Sequence, residues 1–177
     1  MGIIMKHTIS VLVENHAGVL SKVSGLFSRR GFNIESLAVG ITDTPGLSRM
    51  TIVADGDEHT VEQIEKQLNK MIPVIKVKHL ENGEHVSREL SLIKVSADAG
   101  QRAEIMKIAE LTGAKIIDVG METLTLEHCG SPQKSETLEG LLKPYGIREL
   151  VRTGIVALEK GSKVMRRQDT ASLTCRS

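Results

Sequence analysis

The spacing of apolar and polar residues over the first eighty positions predicts a regular series of strands and helices. Residues 6–13 (KHTISVLV) alternate and then turn apolar, as a half-buried strand does. Residues 19–27 (VLSKVSGLF) carry apolar side chains three and four positions apart, which is typical of one face of a helix. Gly31 then suits a helix end. The chain therefore opens with a strand followed by a helix.

A hairpin, a helix and a strand are predicted next. Residues 32–41 and 47–54 alternate on either side of the turn sequence Asp-Thr-Pro-Gly, which indicates two antiparallel strands. Thr60 and Gln63 match a capping box at the start of a second helix, and Pro73 ends that helix. Residues 74–80 (VIKVKHL) supply a fourth strand. The order βαββαβ over residues 5–80 is the ferredoxin-like pattern.

The same order recurs in the second half of the chain, after a polar linker at residues 81–88. The predicted strands cover residues 90–95, 115–119, 123–127 and 147–158, and the two helices begin at Asp98–Gln101 and at Ser131–Pro132. The fold class is therefore predicted to be α+β, with two tandem ferredoxin-like domains at residues 5–80 and 89–159. Residues 160–177 lose apolar periodicity, and we expect a mobile tail there.

Composition excludes several classes of partner. The 23 Lys and Arg residues nearly balance the 22 Asp and Glu residues, so no overall field favours nucleic acid or a membrane surface. One Tyr and two Phe are too few for base-stacking platforms. No apolar run approaches a spanning helix, and the first residues lack a signal-peptide core. With Cys129 and Cys175 far apart, reduced thiols and a cytoplasmic protein are expected.

The loop Asn15-His16-Ala17-Gly18 lies where the first strand meets the first helix. A helix N-terminus leaves about four backbone N–H groups unpaired and attracts carboxylates or phosphates. Gly18 lets an anion approach the backbone, and Asn15 can either cap the helix or present its amide to a ligand. The same residues also occur in ordinary turns, so the spacing alone leaves both interpretations open.

Other chemistry finds little support in the sequence. The six histidines have no HxxxH spacing, there is no CxxC pair, and no glycine-rich loop has Walker or Rossmann form. An acylphosphatase-like hydrolase would need an Arg in the opening loop, but Arg29 and Arg30 lie at the far end of the helix. A transcriptional sensor would need a DNA-reading helix, and none is evident. A small, partly buried thiol is the simplest interpretation of Cys129. No catalytic or metal site is therefore evident from these patterns.

A longer pattern is more specific than the loop. Residues 13–37 (VENHAGVLSKVSGLFSRRGFNIESL), with LSRMTI at 47–52 and QIEKQLNK at 63–70, closely resemble the small regulatory subunit of bacterial acetolactate synthase, also called acetohydroxyacid synthase. The resemblance extends to about Lys160. The first half resembles an ACT domain, a βαββαβ module that binds amino acids.

The resemblance implies an effector site shared by two chains. Valine would lie between the loop of one ACT domain and the start of the second strand of its neighbour, with leucine or isoleucine as weaker ligands. The residues implied are Asn15, Ala17, Gly18, Val19, Leu20, Phe32, Asn33 and Ile34. His16 falls at a variable position, and we expect it to be an exposed loop residue.

The resemblance also implies the partners. The chain would form a homodimer, raise the activity of a large catalytic subunit and make that subunit sensitive to valine. Thiamine diphosphate, magnesium and FAD are expected in the large subunit, and no cofactor is expected in this chain.

Overall fold

The computed structural model describes residues 5–166, which form two compact units. Of these residues, 5–86 together with 158–166 form the first unit, and Ser87–Ala157 form the second. Each unit contains the expected βαββαβ order, and the second carries one further strand at its end. The prediction of an α+β protein with two tandem ferredoxin-like domains is therefore confirmed. No helix within residues 5–166 is both long enough and apolar enough to cross a membrane.

The elements of the first unit follow the predicted order closely. They are β1 (Met5–Glu14), α1 (Val19–Arg30), β2 (Ile34–Ile41), β3 (Leu47–Gly56), α2 (Glu58–Leu68) and β4 (Val74–Leu80).

The second unit is built from a similar series. Its elements are β5 (His85–Ser96), α3 (Arg102–Thr112), β6 (Lys115–Val119), β7 (Thr123–Gly130), α4 (Pro132–Leu142), a 3-10 turn (Lys143–Tyr145), β8 (Ile147–Arg152) and β9 (Val156–Glu159).

The first sheet has the order β2-β3-β1-β4, so β2 and β4 are its edges. Alternation along β1 directs Ile9 and Val11 toward α1 and α2, where both are fully buried. Phe27 and Ile64 close the core from the helix side. The sheet thus presents one apolar face to two helices, which is the physical basis of this fold.

The second sheet has the order β6-β7-β5-β8, and β9 pairs with β5 outside that order. Ile93, Leu126, Ile105 and Leu138 are fully buried in its core. The predicted opening of α4 is correct, since Ser131 is the N-cap residue and Pro132 the first helical residue.

Helix starts show where the sequence was misleading. The capping box predicted at Thr60 is wrong, because α2 begins earlier, at Glu58. The Asp57 carboxylate accepts a hydrogen bond from the Thr60 backbone N–H at 2.8 Å and is the true cap. Asp98 and Gln101 do bond reciprocally ahead of α3, with Asp98 accepting from the Gln101 N–H at 2.9 Å.

Two predicted boundaries in the second half also differ from the structure. β5 starts at His85, so residues 81–84 alone separate it from β4, whereas the predicted linker covered residues 81–88. The single strand predicted for residues 147–158 is two strands, because residues 153–155 interrupt it between β8 and β9, both of which pair with β5.

Residues 160–166 begin the segment that was predicted to be a mobile tail. In the structure they instead lie against the sheet of the first unit. The Arg49 Nη2 atom donates to the Met165 carbonyl oxygen at 3.1 Å, and the Ser10 hydroxyl lies 3.5 Å from the Met165 sulfur. Just before this segment, Lys78 Nζ donates to both carboxylate oxygens of Glu159 at 2.6 Å. Polar groups on the sheet face away from the helices hold this segment, so apolar periodicity does not reveal it. Residues 167–177 lie outside the described part of the chain.

Candidate effector site

The loop after β1 leaves the N-terminus of α1, called the helix mouth below, without a side-chain cap. Gly18 is the N-cap residue, in a left-handed conformation with φ +85°, and no side chain caps the helix. A β-carbon at Gly18 would meet no atom within 4 Å, so open space lies in front of the backbone. Within residues 5–166 the amides of Ala17, Gly18 and Leu20 make no hydrogen bond, while that of Val19 reaches the His16 carbonyl at a long 3.4 Å. An anion could therefore be received here.

Asn15 is exposed and does not cap the helix, which settles one alternative left open by the sequence. Its backbone N–H donates to the Gly46 carbonyl oxygen at 2.7 Å, which ties the loop to the β2–β3 turn. Its side-chain amide has no hydrogen-bond partner among the described residues and is free to meet a ligand. His16 is exposed as expected, with its Nε2 atom 3.3 Å from the Glu14 carboxylate.

The implied apolar residues divide into core and surface. Val19 is 3% exposed and belongs to the core of the first unit, so its side chain cannot serve as an open wall. Leu20 is 45% exposed beside the loop. Phe32 and Ile34 are half-buried and contact the core while keeping part of their surface accessible.

Asn33 lies just before β2, at the other end of the sheet. It is exposed, and its Nδ2 atom donates to the Asp55 carboxylate at 3.3 Å. In the β1–β3 register Asp55 is opposite Lys6, whereas the loop follows Glu14, which is opposite Leu47. The eight residue steps from Lys6 to Glu14 correspond to roughly 26 Å of strand. One chain therefore holds the two halves of the implied site at opposite ends of its sheet.

The strand that begins beside Asn33 is an edge of the sheet. β2 pairs with β3 on one side and has no neighbour on the other among the described residues. Val39 is 47% exposed and Ile41 is 82% exposed along it. Such an edge carries unpaired backbone groups and is suited to pairing with another chain.

The structure also shows polar groups that sequence reasoning missed or misjudged. His7 is buried, and its Nδ1 atom lies 3.1 Å from Nε2 of His79 on the neighbouring strand. Burial, followed by the nearby His7, lowers the pKa of His79. Cys129 is exposed, not partly buried as expected, whereas its neighbour His128 is buried and bonded to Ser135. Strand alternation places these two side chains on opposite faces of the sheet.

Comparisons with known proteins agree across both halves of the chain. Residues 9–76 match the family described as the AHAS small subunit-like ACT domain, and residues 88–161 match the family described as the small subunit of acetolactate synthase. The chain is 54% identical to the acetolactate synthase small subunit of Mycolicibacterium smegmatis over 157 residues, which cover 89% of this chain and 92% of that relative.

Two further relatives extend the range of organisms. The chain is 49% identical over 160 residues to a probable acetolactate synthase small subunit of Methanothermobacter thermautotrophicus, covering 90% of this chain and 95% of that one. The crystal structure of the acetolactate synthase small subunit from Thermotoga maritima superposes with a TM-score of 0.83 at 43% identity. That superposition covers 90% of this chain and 99% of the Thermotoga maritima chain.

Proposed function

Because this chain belongs to the family of acetolactate synthase small subunits, we propose that it activates the catalytic large subunit and makes it sensitive to feedback inhibition by valine. The observation that carries the proposal is the split site: an open helix mouth at Gly18 and an exposed Asn33 about one strand length away. The match to an ACT domain supports an amino acid as the class of ligand in this proposal.

A homodimer would complete the site. If two chains pair antiparallel through β2, the beginning of one β2 lies beside the end of the other. The last residue of β2 and the Asn15–Gly18 loop lie at the same end of the sheet, measured along the strands. This follows because β2 runs antiparallel to β3 and β3 runs antiparallel to β1. Such pairing brings the loop of one protomer near Asn33 of its partner, twice in the symmetric dimer.

The chemistry of the two halves suits a free amino acid. The unpaired amides at the helix mouth would bind the carboxylate, assisted by the helix dipole. The amide oxygens of Asn15 and Asn33 can accept hydrogen bonds from the ammonium group. Leu20, Phe32 and Ile34 then offer apolar contact to the side chain. Since a methyl group changes binding only modestly in an apolar site, leucine and isoleucine would still bind, although more weakly than valine.

The proposal assigns the reaction chemistry to the large subunit. Thiamine diphosphate, magnesium and FAD would bind there, in the cytoplasm, and this chain would change the activity of that subunit without carrying out the reaction. Asn15, Gly18 and Asn33 are accordingly effector-binding residues in the proposal.

Complementation between two variants tests the shared site. Gly18→Asp places a negative charge where the carboxylate would bind, and Asn33→Ala removes a polar partner. Each should raise the valine concentration for half-inhibition about tenfold or more, with activation retained. In a heterodimer of the two variants, one site combines both defects and the other is wild-type. Valine inhibition should therefore return in part when the two variant chains are mixed.

The matched control is Gly83→Asp, which adds the same charge at a left-handed glycine with φ +86° outside the site. Its valine response should equal that of the wild-type chain. Failure of the mixture to recover any valine inhibition would place the site within one chain. Normal inhibition in both single variants would remove this loop from the effector site altogether.

A further inference from the structure

A second candidate site lies in the other unit, at the end where α4 begins. A cavity of about 360 Å³ opens there between the start of β5, the end of β7, the end of α3 and the first turn of α4. β6 begins at Lys115 opposite Glu127, so residues 128–130 of β7 extend beyond β6 and leave this notch in the sheet. No acidic side chain is among the described residues that line the cavity.

Two cationic side chains lie at the cavity without a carboxylate partner. Arg88 donates to the Ser87 carbonyl oxygen at 2.7 Å, and neither Arg88 nor Lys134 forms an ion pair within residues 5–166. Most exposed cations need no partner, because water solvates them well. Here, however, both converge on one concave surface, where their fields add.

The third group is a buried histidine. His128 is 2% exposed, lines the cavity, and is oriented by a contact of 3.3 Å between its Nδ1 atom and the Ser135 hydroxyl. The imidazole lies against Gly130, where a β-carbon would collide with the ring. Its Nε2 atom has no hydrogen-bond partner within residues 5–166. Nε2 is not among the fully buried unpartnered atoms of the described residues, so water or a ligand in the cavity can reach it.

The start of α4 adds hydrogen-bond donors. Ser131 is the N-cap residue, yet its hydroxyl makes no capping bond, so it is available to a ligand in the cavity that it lines. The Lys134 N–H bonds to the Ser131 carbonyl oxygen at 3.0 Å, which leaves the Gln133 N–H as the unpaired amide of this first turn.

A buried carboxylate nearby limits the charge that the cavity can accept. Glu89 pairs with Gly130 in the β5–β7 register and is 5% exposed, and its Oε1 atom has no partner in the described chain. An ionised carboxylate at this position would offset one of the two cations. The remaining positive charge and the volume fit one oxyanion on a small molecule better than a polyphosphate or a nucleic acid.

We propose that this cavity binds a small molecule through a single oxyanion, a carboxylate or a phosphoryl group. Arg88 and Lys134 supply the charge, and His128 Nε2, the Ser131 hydroxyl and the Gln133 amide supply neutral contacts. Such a site would be separate from the valine site of the first unit and would give the protein a second small-molecule ligand.

The test is an NMR titration of the full chain, without large subunit or valine, by inorganic phosphate and separately by acetate at constant ionic strength. Saturable shifts of the amides at residues 128–134 in either arm support the site, and the arm that saturates identifies the oxyanion. Lys134→Gln should weaken binding about tenfold, since a charge-assisted contact is lost. The matched control Lys143→Gln, at an exposed position in the same unit, should leave it unchanged.

A second variant separates loss of the site from loss of the fold. Ser131→Asp installs a carboxylate cap at α4, which should stabilise the helix while repelling an oxyanion. We expect a higher melting temperature and no saturable shifts. The proposal is overturned if neither phosphate nor acetate saturates with the wild-type chain. It is also overturned if Lys134→Gln behaves like Lys143→Gln, or if Ser131→Asp still binds. Because the titration contains no valine, failure of the valine proposal would not affect these outcomes.

Discussion

The two ferredoxin-like units differ in how they satisfy the unpaired backbone groups at the start of their second helix. In the first unit β3 ends at Gly56, Asp57 caps α2, and Thr60 lies three residues further on. In the second unit β7 ends at Gly130, Ser131 caps α4, and Lys134 occupies the place of Thr60.

The first unit closes this corner with its own groups. The Asp57 carboxylate accepts from Thr60, and these hydrogen bonds lower the pKa of Asp57 below its usual value. A β-carbon on Gly56 would lie 2.7 Å from the Thr60 methyl carbon, whereas one on Gly130 would meet the His128 ring, so a different side chain packs over the glycine in each unit. In the second unit the cap is neutral and unbonded, a cation replaces the threonine, and a cavity remains. One fold can therefore hold a helix start that satisfies its own polar groups or an open polar site, and the two units differ here at the cap and three residues after it.

The largest expected effect tests whether the units are energetically separate. Ile64 in α2 and Leu138 in α4 are both fully buried, so truncation of either to Ala should cost about 2–5 kcal/mol. Hydrogen exchange should show Leu138→Ala lowering the protection of α4 and β7 while β1 and β3 keep theirs. Ile64→Ala should give the opposite pattern. Equal loss of protection in both units would mean that the chain unfolds as one cooperative body.

A smaller effect should distinguish the two caps. Asp57→Ala removes a carboxylate that accepts from the Thr60 amide, so the first unit should melt a few degrees lower. Ser131→Ala removes a hydroxyl that makes no capping bond, so the melting of the second unit should hardly change. Calorimetry of the full-length variants measures both. A larger loss from Ser131→Ala would show that its hydroxyl already stabilises the second unit.

The smallest effect concerns acid sensitivity in the first unit. The half-buried His79 lies beside the buried His7. Burial of His79, followed by the nearby His7, lowers the pKa of His79 below 6.5. A histidine with a lowered pKa in the folded state binds protons more readily when unfolded, so stability falls as the pH drops below about 6.5. Hydrogen exchange of β1 and β4 amides between about pH 7.5 and about 5.5 measures this loss.

His79→Asn is the matched variant for this titration, since it removes the ionisable ring while its backbone can still bond to Glu65. Its stability should vary less with pH over the same window. An unchanged pH dependence would assign the acid sensitivity to other groups.

Local sequence signals predicted much of this structure. Strand alternation identified β1 and the hairpin of β2 and β3, and Ser131–Pro132 correctly marked the start of α4. The predictions failed where two signals competed. Thr60 with Gln63 matched a capping box, but Asp57, three residues earlier, made the bond. A continuous apolar pattern hid the break between β8 and β9, because residues 153–155 interrupt the strand without changing that pattern.

For the candidate sites, the sequence by itself determined the residue types and their order: a glycine-bearing loop before a helix, an asparagine before a strand, and the family that this combination indicates. Only the tertiary structure decided that Asn15 and Asn33 lie at opposite ends of one sheet, that Val19 belongs to the core, and that residues 160–166 return to the first unit. It alone placed Arg88, His128 and Lys134 around one cavity. Sequence periodicity reports which face of an element is buried, whereas distances between elements depend on strand register and sheet order, which arise from contacts between residues far apart in the chain.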